Sequence, residues 1–214
     1  MITAGIGSDH TDLDSAIARG VTVAEVTYSN SISVAEHIVM MILSQVRNYL
    51  PSYQTVLDGG WNIADCVARS YDLEGMHVGT VAAGRMGTAV LRRLKPFDVH
   101  LHYTDRHRLP AEVEQELGVT FHESAADMVP LCDVVTINAP LHAETEGLFD
   151  DKLIATMKRG TYLINTARAR IADRDAIMRA LESERHRRDL GPADALAPGE
   201  LTVARGQEQV ALLS

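Results

Sequence analysis

Cysteine is scarce in this chain, with only Cys66 and Cys132 among 214 residues, and the two stand in neither CxxC nor metal-site spacing. That excludes a disulfide framework or a structural zinc site and points to a reducing, cytoplasmic setting. No apolar run approaches the roughly 18 residues that span a bilayer. The start of the chain lacks the basic flank and apolar core of a signal peptide. Positive charge is also in deficit: 20 Lys and Arg face 29 Asp and Glu, for a net charge of −9. Such a balance argues against a nucleic acid or an anionic membrane as partner. What remains, with 46% hydrophobic and 23% charged residues, is the composition of an ordinary globular protein.

The most informative stretch runs from His77 to Gly87. The β-branched run Val78, Thr80, Val81 leads into Ala82-x-Gly84-x-x-Gly87, and a helix-favouring segment follows from Thr88 to Leu94. Strand, glycine turn and helix form the context in which such a motif binds a dinucleotide. The glycines let the backbone approach a pyrophosphate, whose charge then sits on the helix N-terminus. Ala82 replaces the first glycine. Asp105, about twenty residues on and at the end of the next apolar run, is placed to accept hydrogen bonds from an adenosine ribose. Its carboxylate repels a 2′-phosphate and so favours NAD over NADP, although neighbouring Arg106 is able to partner such a phosphate. The plainer alternative makes the glycines an ordinary αβ turn and Asp105 a turn residue.

Around this stretch the chain alternates strands and helices, which predicts a doubly wound parallel sheet of Rossmann type, class α/β. Strands are predicted at Val99–Tyr103, Val119–His122, Val134–Asn138 and Thr161–Asn165. Helices are predicted at Pro110–Leu117, Ala125–Val129, Asp151–Met157 and Arg174–Glu184. Upstream, a short β-turn-α-β unit includes a helix at Asp12–Arg19 stopped by Gly20 and a strand at Val21–Val26. Ser33 to Glu36 reads as a capping box opening a helix that is apolar nearly all round and ends at Pro51. A helix of that kind packs between domains or subunits. The sole Trp, Trp61, is expected to anchor a turn. His10, His37, His77, His100 and His102 lack metal spacing and read as structural or surface residues. From Arg185 the chain is rich in small and charged residues without a period, which predicts a loose tail.

Six segments occur in order: Ala4–His10, Tyr28–His37, Gly60–Asp65, Ala82–Gly87, Tyr103–His107 and Asn165–Arg168. Together they resemble NAD-dependent formate dehydrogenases of the D-specific 2-hydroxyacid dehydrogenase superfamily, from about Thr3 to Ser183. The resemblance implies hydride transfer from formate to NAD, in a homodimer. It implies a remnant of a flavodoxin-like substrate domain at 1–30, an NAD-binding domain with its leading interdomain helix at 31–184, and a divergent tail at 185–214. Ile6, the Gly7 backbone and Asn30 are implied to hold formate, and Arg168 to pair with its charge, with Asn30 and Arg168 the catalytic pair. Ser31, Gly84, Arg85, Met86, Gly87, Asp105, the loop Pro140, Leu141, His142, Ala143, Glu144, and Thr166 are implied to contact NAD. Each has a plainer alternative: Asn30 as a turn residue, Arg168 as half of a structural ion pair, His142 as a solvated loop residue. The family's Trp-x-Pro-Gln turn and catalytic His do not appear after Ser183, and His186 does not match that His. A one-base shift at Asp189–Asp194 permits the missing turn, which makes a frameshift one explanation. The chain is therefore expected to resemble a truncated enzyme, weakly active or inactive. Its alternatives are a non-catalytic NAD-binding or dimerisation module and a broader D-2-hydroxyacid dehydrogenase.

Overall fold

The computed structural model describes residues 1–3, 7–8, 10–26, 29–185 and 201–202. In order they form β1 (Ile2–Thr3), α1 (Leu13–Ala18), β2 (Ala24–Glu25), α2 (Ser31–Val46), α3 (Tyr49–Leu57) and α4 (Ile63–Val67). There follow β3 (His77–Val81), α5 (Arg85–Leu94), β4 (His100–Thr104), α6 (Ala111–Leu117), β5 (Val119–His122), α7 (Ala125–Met128) and β6 (Val134–Ile137). The last elements are α8 (Asp151–Thr156), β7 (Thr161–Asn165), α9 (Arg174–Arg185) and β8 (Leu201–Thr202). β1 and β2 pair in parallel as a separate two-stranded sheet. The main sheet is parallel, in the order β5-β4-β3-β6-β7-β8. Its order reverses between β3 and β6, the topological switch point of a doubly wound fold.

Both faces of this sheet are covered. One core gathers Ile38, Ile42 and Val46 of α2 with Val90, Leu91 and Leu94 of α5 over Val78, Leu101 and Val134. The other gathers Met128, Leu153, Ile154 and Ala176 over Val81, Val135 and Ile137. Strands buried on both faces read as continuous β-branched runs, which is why Val134–Ile137 was legible in sequence.

Several local expectations are corrected. α2 starts at Ser31, so Ser33 and Glu36 lie inside it and make no capping box; Glu36 instead pairs with Arg93 at 3.0 Å. Pro51 does not end α2. Asn48, at φ 51°, breaks the chain between two helices, and Pro51 falls in the first turn of α3, where a missing N–H costs no helical bond. Within this chain α2 buries Ala35, Ile38, Ile42 and Val46, while Ile32 and Met40 face out. Trp61 is 81% exposed and anchors nothing. Of the predicted tail, 186–200 and 203–214 lie outside the described residues, and Leu201–Thr202 pairs with Thr161–Tyr162.

No helix among the described residues is long and apolar enough to cross a membrane.

Candidate functional site: a glycine turn at the sheet edge

Parallel register decides which residues meet. Val81 lies beside Thr104 on one side and Ile137 on the other, and Ile137 lies beside Asn165. The strands therefore end level, and the segments that follow them share one edge. Those segments are Ala82–Gly87, Asp105–His107, Asn138–Glu144 and Thr166–Arg168. This edge collects the residues expected to contact NAD other than Ser31, which opens α2.

The three positions of the glycine motif turn out to do different things. Ala82 has φ 72°, a left-handed conformation that costs a residue with a Cβ about 1 kcal/mol. The turn is held by bonds from the Ala82 N–H to Thr104 O at 2.9 Å and from Thr80 Oγ1 to Ala82 O at 3.0 Å. Gly87 is buried, and a Cβ there would collide with the carbonyl oxygen of Ala82, so the fold itself demands glycine. Gly84 is the opposite case. It stands at φ −60° and ψ −162°, and a Cβ there meets nothing within 4 Å. It is the N-cap of α5, which has no side-chain cap bond. Packing does not require glycine at this point, whereas a phosphate seated on the helix N-terminus favours it.

Asp105 is half-buried and held by backbone: Oδ2 accepts the Ala83 N–H at 2.7 Å and Oδ1 accepts the His107 N–H at 3.0 Å. Each carboxylate oxygen keeps a further lone pair for a ribose hydroxyl. Asn138 donates from Nδ2 to Thr80 Oγ1 at 2.7 Å, and its buried Oδ1 has no partner. The buried Ser31 Oγ, at the first turn of α2, is also without a partner. Buried polar atoms left unsatisfied are few in native proteins, and a bound polar molecule supplies such partners. The residues present thus fit a dinucleotide.

The loop Pro140–Glu144 is shaped by Thr145, whose hydroxyl donates to Pro140 O at 2.7 Å and accepts the His142 N–H at 2.8 Å. Glu146 then ties this loop to Arg170, beyond β7, at 2.5 Å. Asn165 orders the next segment: Oδ1 accepts the Ala167 N–H at 3.0 Å and Nδ2 donates to Arg168 O at 3.0 Å. Arg168 is half-buried, and one guanidinium N–H reaches Ala167 O at 3.0 Å. Arg85, Met86 and Thr166 stand on the same edge, with Leu141 half-buried and His142 and Ala143 exposed.

The residues expected at the substrate are more dispersed. Ile6 lies outside the described residues. Gly7 donates its N–H to Glu25 Oε2 at 2.8 Å within the β1–β2 unit. Asn30 is the exposed residue preceding α2 and makes no side-chain cap bond. Sequence reading missed Asn138, Thr145 and Asn165. Asn165 alone carried a local signal, since an Asn two residues before Ala167 is the pattern of an Asx turn.

Two of the histidines expected to be structural or at the surface, His77 and His102, form a chain with His122 across β3, β4 and β5. His77 Nδ1 lies 2.8 Å from His102 Nε2, and His102 Nδ1 lies 3.0 Å from His122 Nε2. The two nitrogens of His102 face opposite neighbours, so the three rings cannot converge on one ion. Among the described residues no group of side chains is arranged to hold a metal.

Residues 39–189 match the NAD-binding domain of the D-isomer specific 2-hydroxyacid dehydrogenases. Formate dehydrogenase of Pseudomonas sp. strain 101 is 70% identical over 184 residues, 86% of this chain and 46% of that one. The chloroplastic/mitochondrial formate dehydrogenase of Arabidopsis thaliana is 50% identical over 183 residues, again 86% of this chain and 48% of its own. Among solved structures, Granulicella formate dehydrogenase superposes with a TM-score of 0.83 at 67% identity, covering 85% of this chain and 48% of the other. The NAD complex of the Staphylococcus aureus enzyme superposes with a TM-score of 0.77 at 37% identity, covering 94% and 63%. The chain spans about half the length of the curated relatives it matches. A parallel sheet with its switch point beside a glycine turn, and a domain match over most of the chain, lead to one conclusion: this chain belongs to the D-isomer specific 2-hydroxyacid dehydrogenase family.

Proposed function

We propose that this chain carries the NAD-binding part of a formate-oxidising dehydrogenase, with a boundary near residue 30 separating it from a portion of the substrate domain. Gly84 carries the reading: packing does not need glycine there, and a pyrophosphate on the N-terminus of α5 does. Asp105, held by the Ala83 and His107 amides, receives the adenosine ribose. Arg85 and Met86 flank the pyrophosphate, Pro140–Glu144 runs along the cofactor, and Ser31 and Thr166 stand on its nicotinamide side.

NAD supplies the carbon that accepts a hydride. The protein's task is to hold a small anion in position. Formate loses its hydrogen as hydride and leaves as carbon dioxide, so no side chain has to remove a proton. Arg168 offers a planar guanidinium that grips a carboxylate at two points, and formate presents little else to hold. Its segment is already ordered by Asn165, which lowers the cost of binding. The Asn30 amide, with Ile6 or the adjacent Gly7, completes the substrate side, and for Gly7 this requires its N–H to exchange Glu25 for formate. Similarity to enzymes called formate dehydrogenase supports formate over larger hydroxyacids.

A second copy of the chain is proposed to cover α2–α4. Met40, Tyr53, Val56, Leu57, Trp61 and Ile63 are all exposed there, an apolar surface of the kind that marks an interface. Cys66 and Cys132 are both free thiols, in keeping with a cytoplasmic setting.

Calorimetric titration with NAD tests the cofactor half. Asp105→Ala is expected to weaken binding by about tenfold or more, since hydrogen bonds to a charged acceptor are lost. Equal affinity in both proteins refutes the assignment. Formate-dependent absorbance of reduced nicotinamide tests the other half; binding without reduction marks the chain as a binding module.

A further inference from the structure

Two loops approach each other at the ribose end of the sheet edge. Arg106, the residue after Asp105, places Nη1 4.0 Å from Oε2 of Glu144, across from it on the loop after β6. Glu144 is not on a loose tether. Thr145 staples its loop to Pro140 and His142, the Glu146 N–H bonds to His142 O at 2.9 Å, and the Glu146 side chain pairs with Arg170. Both charged groups are exposed, so their pairing adds little to stability. Its consequence is for what binds between them.

We propose that Glu144 is a specificity-determining residue: by countering Arg106 it denies a 2′-phosphorylated dinucleotide the cation that follows Asp105 in the same loop. The inference rests on the reading of Asp105 as the ribose acceptor. Asp105, Arg106 and Glu144 together carry one net negative charge, and a 2′-phosphate would bring about two more into the same few ångströms. Arg106 alone would favour NADP, and Asp105 alone would oppose it. Glu144 tips the balance chiefly by holding the guanidinium toward itself. At a separation of about 6 Å in a water-accessible site, a guanidinium released from Glu144 to face the 2′-phosphate is expected to raise its affinity about three- to tenfold.

The test is calorimetry of the full chain with NAD and with NADP at low ionic strength, read as the ratio of the two affinities. Any general effect of a loop substitution divides out of that ratio. Glu144→Gln is expected to shift the ratio toward NADP by about three- to tenfold, and added salt to erode the shift. In an Arg106→Gln background the same Glu144→Gln change is expected to produce a much smaller shift, because there is no guanidinium to release. An unchanged ratio in Glu144→Gln overturns the proposal, as does a shift of equal size in the Arg106→Gln background. NAD binding by wild type with either of those results leaves the NAD reading standing. Failure of wild type to bind either dinucleotide overturns both.

Discussion

Lowering the pH from about 7.5 to about 5 is expected to weaken the fold through His102. This ring is 7% exposed and lies between His77 and His122, with a ring nitrogen on each. Burial, first, and then the facing charges of His122, His77, His100 and Lys158 push its pKa from 6.5 down to about 4. His77 is lowered as well, by burial and by Lys158 and His100, with Asp133 opposing. Cys132, packed under Gly79, has its thiol pushed up to about 12 and stays neutral throughout. The unfolded chain therefore takes up a proton near pH 6.5 that the folded chain refuses until about pH 4. Stability is full above that window and falls as the pH drops through it, by at most about 1.4 kcal/mol per pH unit for one proton. Solvent reaches the open side of the cluster, so a total of about 2 kcal/mol is expected rather than the full product. Glu114, Glu116 and Asp151 are held below their ordinary values by Arg108, Arg92 and Arg179, and their losses begin lower, around pH 4. Urea unfolding of wild type and His102→Gln between about pH 7 and 5 isolates the effect. Wild type should lose stability steeply over that range and the variant much less. Parallel pH dependences refute the reasoning.

Gly84→Ala and Gly87→Ala separate ligand from fold. The first should leave urea stability within about 1 kcal/mol yet weaken NAD binding tenfold or more, since its Cβ enters open space that the proposed pyrophosphate would occupy. The second should cost about 3 kcal/mol, because its Cβ meets backbone that cannot give way. Ala82→Gly should stabilise by roughly 1 kcal/mol by relieving a left-handed alanine; a loss of stability in thermal or urea unfolding contradicts that account. Val56→Glu with Leu57→Glu should lower the sedimentation mass to that of a monomer at unchanged helix content if a second copy covers α3.

Strand and helix order, the parallel sheet and the nucleotide turn were legible in the residues themselves. β-branched runs, helical periodicity and glycine placement act within a few residues of one another, so local chemistry suffices to read them. The same holds for Asp105, which needs only to end the strand after the glycine turn. Where neighbouring signals competed, as at Ser33–Glu36 and Pro51, the local reading misplaced a helix start and a helix end. Interactions that depend on register were hidden. His77, His102 and His122 lie 25 and 20 residues apart, and only parallel pairing of β3, β4 and β5 brings their rings together. Register likewise brings Glu144 to Arg106 and leaves Ser31 and Asn138 with buried, unpartnered oxygens. Sequence by itself determined that a dinucleotide turn exists here. Tertiary structure alone decided that packing demands glycine at Gly87 and leaves Gly84 open, because that difference lies in the atoms each absent side chain would have touched.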